Sequence, residues 1–360
     1  MTTTNRIAIV GATGLVGAAA TEHFSGSPGW EVVTLSRRPP RRGKPVHHIS
    51  VDLTDSDTCK AAFAEAPAVT HVLYAALYEQ EDLLEGWKST SQAGINLTML
   101  QNVVEHVAEN PKFKHLAILQ GGKAYGSHLG RVPVPAKERW PRMDHHIFYW
   151  QQEDYLKSRS ADAGWSYSIL RPQLILGDAL ASPINIIAAL GVYASVMREL
   201  GRPLSFPGGG QYVTACADSR LIARAAEFCF AHEKAAGETY NVVNGDAVNW
   251  RDLWPSIAAH FNMPVAGDEP MKLSDEMPLL GECWDAIVAK HGLQPLKMSD
   301  IVGSSWQTAD LTWGYGKERP FDRLMSPIKL RQAGFADCYD TEDAILYWLT
   351  RMQDVKILPR

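Results

Sequence analysis

Residues 6–17 read RIAIVGATGLVG, and Ala18, Ala19 and Ala20 follow. Arg6 to Val10 is the short apolar run of a buried β-strand. Glycine stands at 11, 14 and 17 in the turn, and the alanines beyond it favour a helix. Strand, bare turn and helix N-terminus together make an anion site, because free N–H groups and the positive end of the helix dipole point the same way. Gly11 permits the tight bend, Gly14 lets the backbone approach a pyrophosphate, and Gly17 lets the helix pack close to the strand. Thr13, Leu15 and Val16 are expected along the same phosphates. A glycine triplet alone is a weak sign, and its strand-turn-helix setting gives it weight.

The chain has 360 residues, enough for one large or two ordinary domains. A formal net charge of −5 argues against nucleic acid as the main partner, since a phosphate-backbone binder carries a basic face. Cys59, Cys216, Cys229, Cys283 and Cys338 are odd in number and scattered, with no C-x-x-C pair. That is the usage of reduced thiols in a cytoplasmic protein, not of a disulfide frame or a zinc site. The first strand begins almost at once, so no signal peptide is expected. The longest apolar stretch, Ile184 to Met197, is too short for a bilayer and carries Asn185 and Tyr193, so it reads as a buried helix and no membrane partner is expected.

Trp30 to Ser36 is a second strand, and it runs into Arg37-Arg38-Pro39-Pro40. In a doubly wound sheet this strand end meets the adenosine ribose. An acidic residue there suits the 2′-hydroxyl of NAD, and arginine suits the 2′-phosphate of NADP. Ser36, Arg37 and Arg38 are therefore expected at NADP, whereas Arg41 and Arg42 read as a solvated basic turn. His47 to Val51 is a third strand. Asp52 and Leu53 end it, and Asp52 either accepts from the adenine amino group or caps a helix over 54–64. Val69 to Ala75 is the fourth strand, and the small Ala75 and Ala76 let the cofactor pass over the sheet. A polar excursion over 77–90 leads to a helix from about 91 to 109. His115 to Gln120 is the fifth strand, with Gln120 and Gly121 at its end. The sixth, Tyr167 to Leu170, ends in Arg171-Pro172, where proline turns the chain over the nicotinamide and leaves Gln173, Leu174 and Ile175 facing the ring.

Strands alternating with helices predict the α/β class, a Rossmann-type doubly wound parallel sheet with ligands at the carboxyl ends of its strands. Residues 1–173, completed by about 211–250, form the cofactor domain. Residues 174–210 and 251–335 form a smaller, mostly helical substrate domain, and 336–360 a C-terminal helix and tail. Trp284, Trp306 and Trp313 either give that second domain an aromatic lining for a flat lipophilic substrate or serve plain packing, the usual fate of any single tryptophan. His145 and His146 lack a third ligand of suitable spacing, so no metal is expected.

A tyrosine that works through its hydroxyl near neutral pH needs a cation close by. Short-chain dehydrogenases usually supply it as Tyr-x-x-x-Lys. Here Tyr149 is followed four residues later by Glu153, and Lys157 lies two turns away. The usual motif is broken.

The chain nevertheless resembles the extended short-chain dehydrogenase/reductases, and more closely the progesterone 5β-reductase/iridoid synthase-like enone reductases. The resemblance rests on GATGLVG (11–17), LQGGKAY (119–125), IFYWQQED (147–154), LRPQLILG (170–177) and YNVVNGDAVNWRDLW (240–254), among other segments, and covers nearly the whole length. It implies that Tyr149 is the catalytic tyrosine. It implies a catalytic lysine at Lys123, in the loop after the fifth strand, where Lys123-Ala124-Tyr125 departs from the family's Lys-His-Tyr. It also implies NADPH-dependent hydride transfer to the β-carbon of an α,β-unsaturated carbonyl, with Tyr149 on the carbonyl oxygen and Lys123 favouring its polarised form. The expected substrate is a small lipophilic carbonyl compound. A homodimer is allowed by the sequence but not specified by it. Direct carbonyl reduction or alcohol oxidation, and a non-catalytic NADP sensor, stay open as alternatives.

Overall fold

The computed structural model describes residues 5–41, 44–66 and 68–360. Seven parallel strands form one sheet in the order β3-β2-β1-β4-β5-β6-β9. They are β1 (Asn5–Val10), β2 (Trp30–Ser36), β3 (His47–Ser50), β4 (His71–Tyr74), β5 (His115–Leu119), β6 (Ser166–Pro172) and β9 (Glu238–Val242), while β7 (Leu174–Leu176) pairs with β8 (Cys216–Asp218) in a small second sheet. Proline closes β6, opposite Val242. The order reverses beside β1, which is where a doubly wound sheet opens a crevice at its carboxyl edge.

Side chains alternate along β1, and each set has its own core. Ile7 and Ile9 pack with Val16, Ala20 and Phe24 of α1 (Leu15–Gly26) and Leu221, Ile222 and Ala225. Ala8 and Val10 pack on the other face with Cys59, Ala62 and Phe63 of α2 (Ser56–Glu65) and with Leu100, Val103 and Val104. Between β4 and the fifth strand lie a short helical turn, α3 (Leu83–Gly86), and α4 (Thr90–Val107). Phe148–Ser160 forms α5. The helix expected from Ile184 is α6 (Ile186–Glu199), and twelve of its fourteen residues are buried, as befits a helix apolar all round.

The third core surrounds α6. It contains Trp250 and Trp254, Trp284, Trp306 and Trp313, and Ile345, Trp348 and Leu349 of the C-terminal helix Thr341–Asp354. This selects packing over an aromatic lining: Trp284 and Trp313 are fully buried and Trp306 nearly so, and all three fill the interior of the helical half. The structure removes the N-cap reading of Asp52. Asp55 caps α2, accepting from the N–H groups of Asp57 and Thr58, while Asp52 accepts from the Thr54 N–H and hydroxyl in the turn before it. No helix among the described residues is long and apolar enough to cross a membrane, and all five cysteines are free thiols.

Candidate active site

A cavity of about 460 Å³ runs along the carboxyl ends of β1 to β6. Gly11, Thr13, Gly14, Leu15 and Val16 line it from the first turn, Ser36, Arg37 and Arg38 from the second strand, and Asp52 and Leu53 from the third. Ala75, Ala76, Gln120, Gly121, Pro172, Leu174 and Ile175 continue the wall, with Lys123 and Tyr149. Gly17 alone of the expected cofactor residues stands outside it. A Cβ there would sit 2.2 Å from the Gly11 carbonyl oxygen, so its part is the close packing of α1 on the turn.

The first turn fits a dinucleotide. Gly11 has φ +84°, and a Cβ on it would lie 2.7 Å from the Ala76 backbone. A Cβ at Gly14 would meet only the Gly11 carbonyl, at 3.5 Å, so the backbone there faces open space. Gly14 is also the N-cap of α1 and offers no side-chain cap, which leaves the first N–H groups of the helix to a ligand. Ser36 donates its hydroxyl to the Arg38 carbonyl (2.7 Å) and so holds the bend that carries the two arginines. Arg41 is exposed and donates to Gln294 (3.2 Å); Arg42 lies outside the described residues.

Tyr149 enters the cavity from the start of α5. Its side chain is buried, and its hydroxyl lies beside Gly121, where a Cβ would come within 3.7 Å of it and 3.3 Å of the Pro172 carbonyl oxygen. The hydroxyl therefore stands just past the end of β5, where the end of β6 also comes close to Gly121. Burial, together with the nearby Glu79 carboxylate, pushes the phenol well above its usual range, while the Arg171 charge pulls the other way. At neutral pH it is a protonated donor.

Lys123 lies in the short turn after β5, at the same cavity. Its ammonium bonds Glu79 Oε1 (3.1 Å) and sits 4.4 Å from the centre of the Trp87 ring. Glu79 also accepts from Gln92 Nε2 (2.6 Å) and Trp87 Nε1 (3.3 Å). Burial lowers the Lys123 pKa and the Glu79 charge and hydrogen bond raise it, the net being a value below the usual ammonium range. Among the described residues no hydrogen bond joins Lys123 to Tyr149. The ring of His145 contacts the Lys123 carbonyl through Nε2 (3.0 Å), and no group of three or more His, Cys, Asp or Glu that could hold a metal occurs among the described residues.

Three residues of this neighbourhood were not singled out from sequence: Glu79, Trp87 and Arg171 as a charged group. A carboxylate at position 153, where a lysine is usual, is the one signal that pointed to a buried cation elsewhere.

A family model described as the PRISE-like Rossmann-fold domain matches residues 48–359. The chain belongs to the PRISE-like Rossmann-fold family. An (S)-8-oxocitronellyl enol synthase of Nepeta cataria is 30% identical over 374 residues, covering 98% of this chain and 91% of its own. One from Camptotheca acuminata is 30% identical over 379 residues (98% and 92%), and one from Catharanthus roseus 26% over 373 (98% and 92%). Among solved structures, a UDP-glucose 4-epimerase of Thermus thermophilus in complex with NAD superposes with a TM-score of 0.66 at 19% identity, covering 97% of this chain and 99% of that one. A putative epimerase from Burkholderia cenocepacia gives 0.68 at 16% (98% and 100%). At these identities the structures speak to the fold. This PRISE-like chain shares its fold with these structures, and its relatives in the family are named as enol synthases.

Proposed function

We propose that the protein is an NADPH-dependent reductase of α,β-unsaturated carbonyl compounds. The observation that carries the reading is Tyr149, buried in the lining of the strand-end cavity with its protonated hydroxyl beside Gly121 at the end of β5. The bound nicotinamide would supply hydride. Gly11, Gly14 and the N-terminus of α1 would hold its pyrophosphate, and Arg37 and Arg38 the 2′-phosphate that distinguishes NADP.

Tyr149 donates its hydrogen bond to the carbonyl oxygen of the substrate. As hydride joins the β-carbon, the π electrons move onto that oxygen, and the donor steadies the charge as an oxyanion hole does. The product of this step is an enol or enolate, and the curated relatives are named as enol synthases. Lys123, whose charge is balanced by Glu79, braces the wall of the cavity through Glu79 and Trp87.

The test is NADPH oxidation against a panel of cyclic and acyclic enones and enals, with the products identified. A saturated carbonyl product is expected. An allylic alcohol would instead show direct carbonyl reduction, and NADPH binding without any turnover would show a sensor. Tyr149→Phe is expected to lower kcat by about 100- to 1,000-fold with folding unchanged; full activity in that variant would overturn the role of Tyr149.

A further inference from the structure

Glu153 stands one helical turn beyond Tyr149 on α5, at the place where short-chain dehydrogenases usually carry lysine, and both side chains are buried. A buried carboxylate is costly unless paired. Its partner is Arg171, itself buried near the end of β6, whose Nη2 donates to Glu153 Oε1 at 2.7 Å. The other guanidinium arm, Nε, donates to Gln120 Oε1 at 2.9 Å, and Gln120 Nε2 donates to the carbonyl of Tyr149 at 3.3 Å. Of the residues that follow Gln120 and Arg171, Gly121 lies beside the Tyr149 hydroxyl, and the Pro172 carbonyl lies beside Gly121. A fixed positive charge is thus built in at the end of the strand next to the hydroxyl, tied to the backbone of Tyr149 through Gln120 and through the helix that carries both Tyr149 and Glu153.

The lysine offers no such arrangement. Its ammonium is held by Glu79 on the side of Trp87. The Lys123–Glu79 pair is close to neutral as a unit, and the carboxylate is the member that acts on Tyr149, in the unfavourable sense.

We propose that Arg171, held by Glu153 and Gln120, is the positive charge that serves the Tyr149 hydroxyl in this enzyme, in place of a lysine. Arg171 and Glu153 are positioning residues, acting through Tyr149. The charge lies at the end of a strand, where a rigid ladder fixes it, and not on the helix of the tyrosine. Glu153 does two things there. It anchors the guanidinium by a charge-assisted bond, and it offsets part of that charge, so its removal leaves Arg171 more effective. Arg142 shares Glu153 through Nε and Nη2 (3.1 and 2.7 Å) and closes the network toward solvent with Asp154. Glu79, paired with Lys123, and Arg171, paired with Glu153 that Arg142 shares, are the charges that act at Tyr149, and Tyr125 and the loop histidines His128, His145 and His146 are the titratable groups on the neighbouring segments.

This inference rests on Tyr149 as the hydrogen-bond donor of the proposed reaction, and its test reads the phenol without turnover. With 3,5-difluorotyrosine incorporated at position 149 in the full-length protein, the ¹⁹F shift is followed against pH. Arg171→Met is expected to raise the midpoint by about 1 pH unit, the low end for losing an adjacent opposite charge. Glu153→Gln, which removes the offsetting carboxylate, is expected to lower it, and Arg171→Lys to stay near the parent value. A merely structural role would move Arg171→Met and Glu153→Gln in the same direction or not at all, and either result overturns the proposal. Should Arg171→Met fail to fold with Glu153 left unpaired, the downward shift in Glu153→Gln decides alone: its absence overturns the assignment. Turnover of enones by the unsubstituted enzyme is measured separately. A phenol that shifts as expected in an enzyme that reduces no enone overturns the reaction and leaves the charge assignment standing.

Discussion

A lysine missing from its usual place made Glu153 a puzzle in the sequence, and the structure answers it with a buried ion pair. The pairings that matter at the site join residues 18 apart in the chain, Glu153 with Arg171, and 44 apart, Glu79 with Lys123. Each pairing crosses from one element to another, Glu153 on α5 to Arg171 on β6 and Glu79 before α3 to Lys123 after β5, so neither was legible before the fold. Residues at strand ends were, because alternating strands and helices locate the carboxyl edge of the sheet. Arg37 and Arg38 belong to that legible set. Both are exposed and line the cavity at the end of the second strand, free to meet a phosphate. Their joint replacement by alanine is expected to raise the KM for NADPH by about 10- to 100-fold, the worth of one or two charge-assisted hydrogen bonds, with little effect on the KM for NADH. Steady-state kinetics with both cofactors checks this, and an equal loss with each would remove the arginines from the phosphate site.

Within α1 and the turn before it, two glycines of one motif serve different ends. Gly17 is a packing residue: a Cβ 2.2 Å from the Gly11 carbonyl and 2.8 Å from the Ala12 Cα meets backbone, which has nowhere to go. Gly14 has room in the protein alone, and its bare backbone lines the cavity. Gly17→Ala is therefore expected to cost about 1–3 kcal/mol of stability as α1 is pushed off the turn. Gly14→Ala is expected to leave the denaturant midpoint near the parent value and still lose dinucleotide affinity. Urea unfolding beside a dinucleotide titration separates the two, and a Gly17→Ala protein of parental stability would sink the distinction. The helix that follows the third strand teaches a related lesson. Two aspartates three residues apart, Asp52 and Asp55, both suit an N-cap, and only the observed turn shows that Asp55 caps while Asp52 faces the cavity.

Across the whole molecule, the parallel sheet follows from strands buried on both faces, which the sequence displays plainly as the unbroken apolar run Ile7, Ala8, Ile9 and Val10. The helical half was harder to read, since a tryptophan looks the same in a core as in a pocket wall, and its neighbours there come from distant segments. The sheet also carries a device at its other edge. His71 at the start of β4 lies in register with His115 at the start of β5, under Phe230 and, for His71, Trp30. His71 bonds the Thr70 hydroxyl (2.8 Å) and His115 those of Ser166 and Ser168 (2.7 and 2.9 Å). Burial, joined for His71 by the charges of His115 and Lys114, lowers His71 to about 3, and burial lowers His115 to about 4. Both imidazoles are thus neutral in the folded chain while the unfolded chain protonates them near pH 6.5. Between those values the unfolded state binds more protons, so stability rises with pH through that window. It is fully present above about pH 6.5 and is lost progressively as the pH falls toward about 4. Urea midpoints measured from about pH 7.5 down to about 4.5 should fall, and fall less in His71→Phe, which has no proton to take up. Parallel curves for the two proteins would show that the acid lability arises elsewhere.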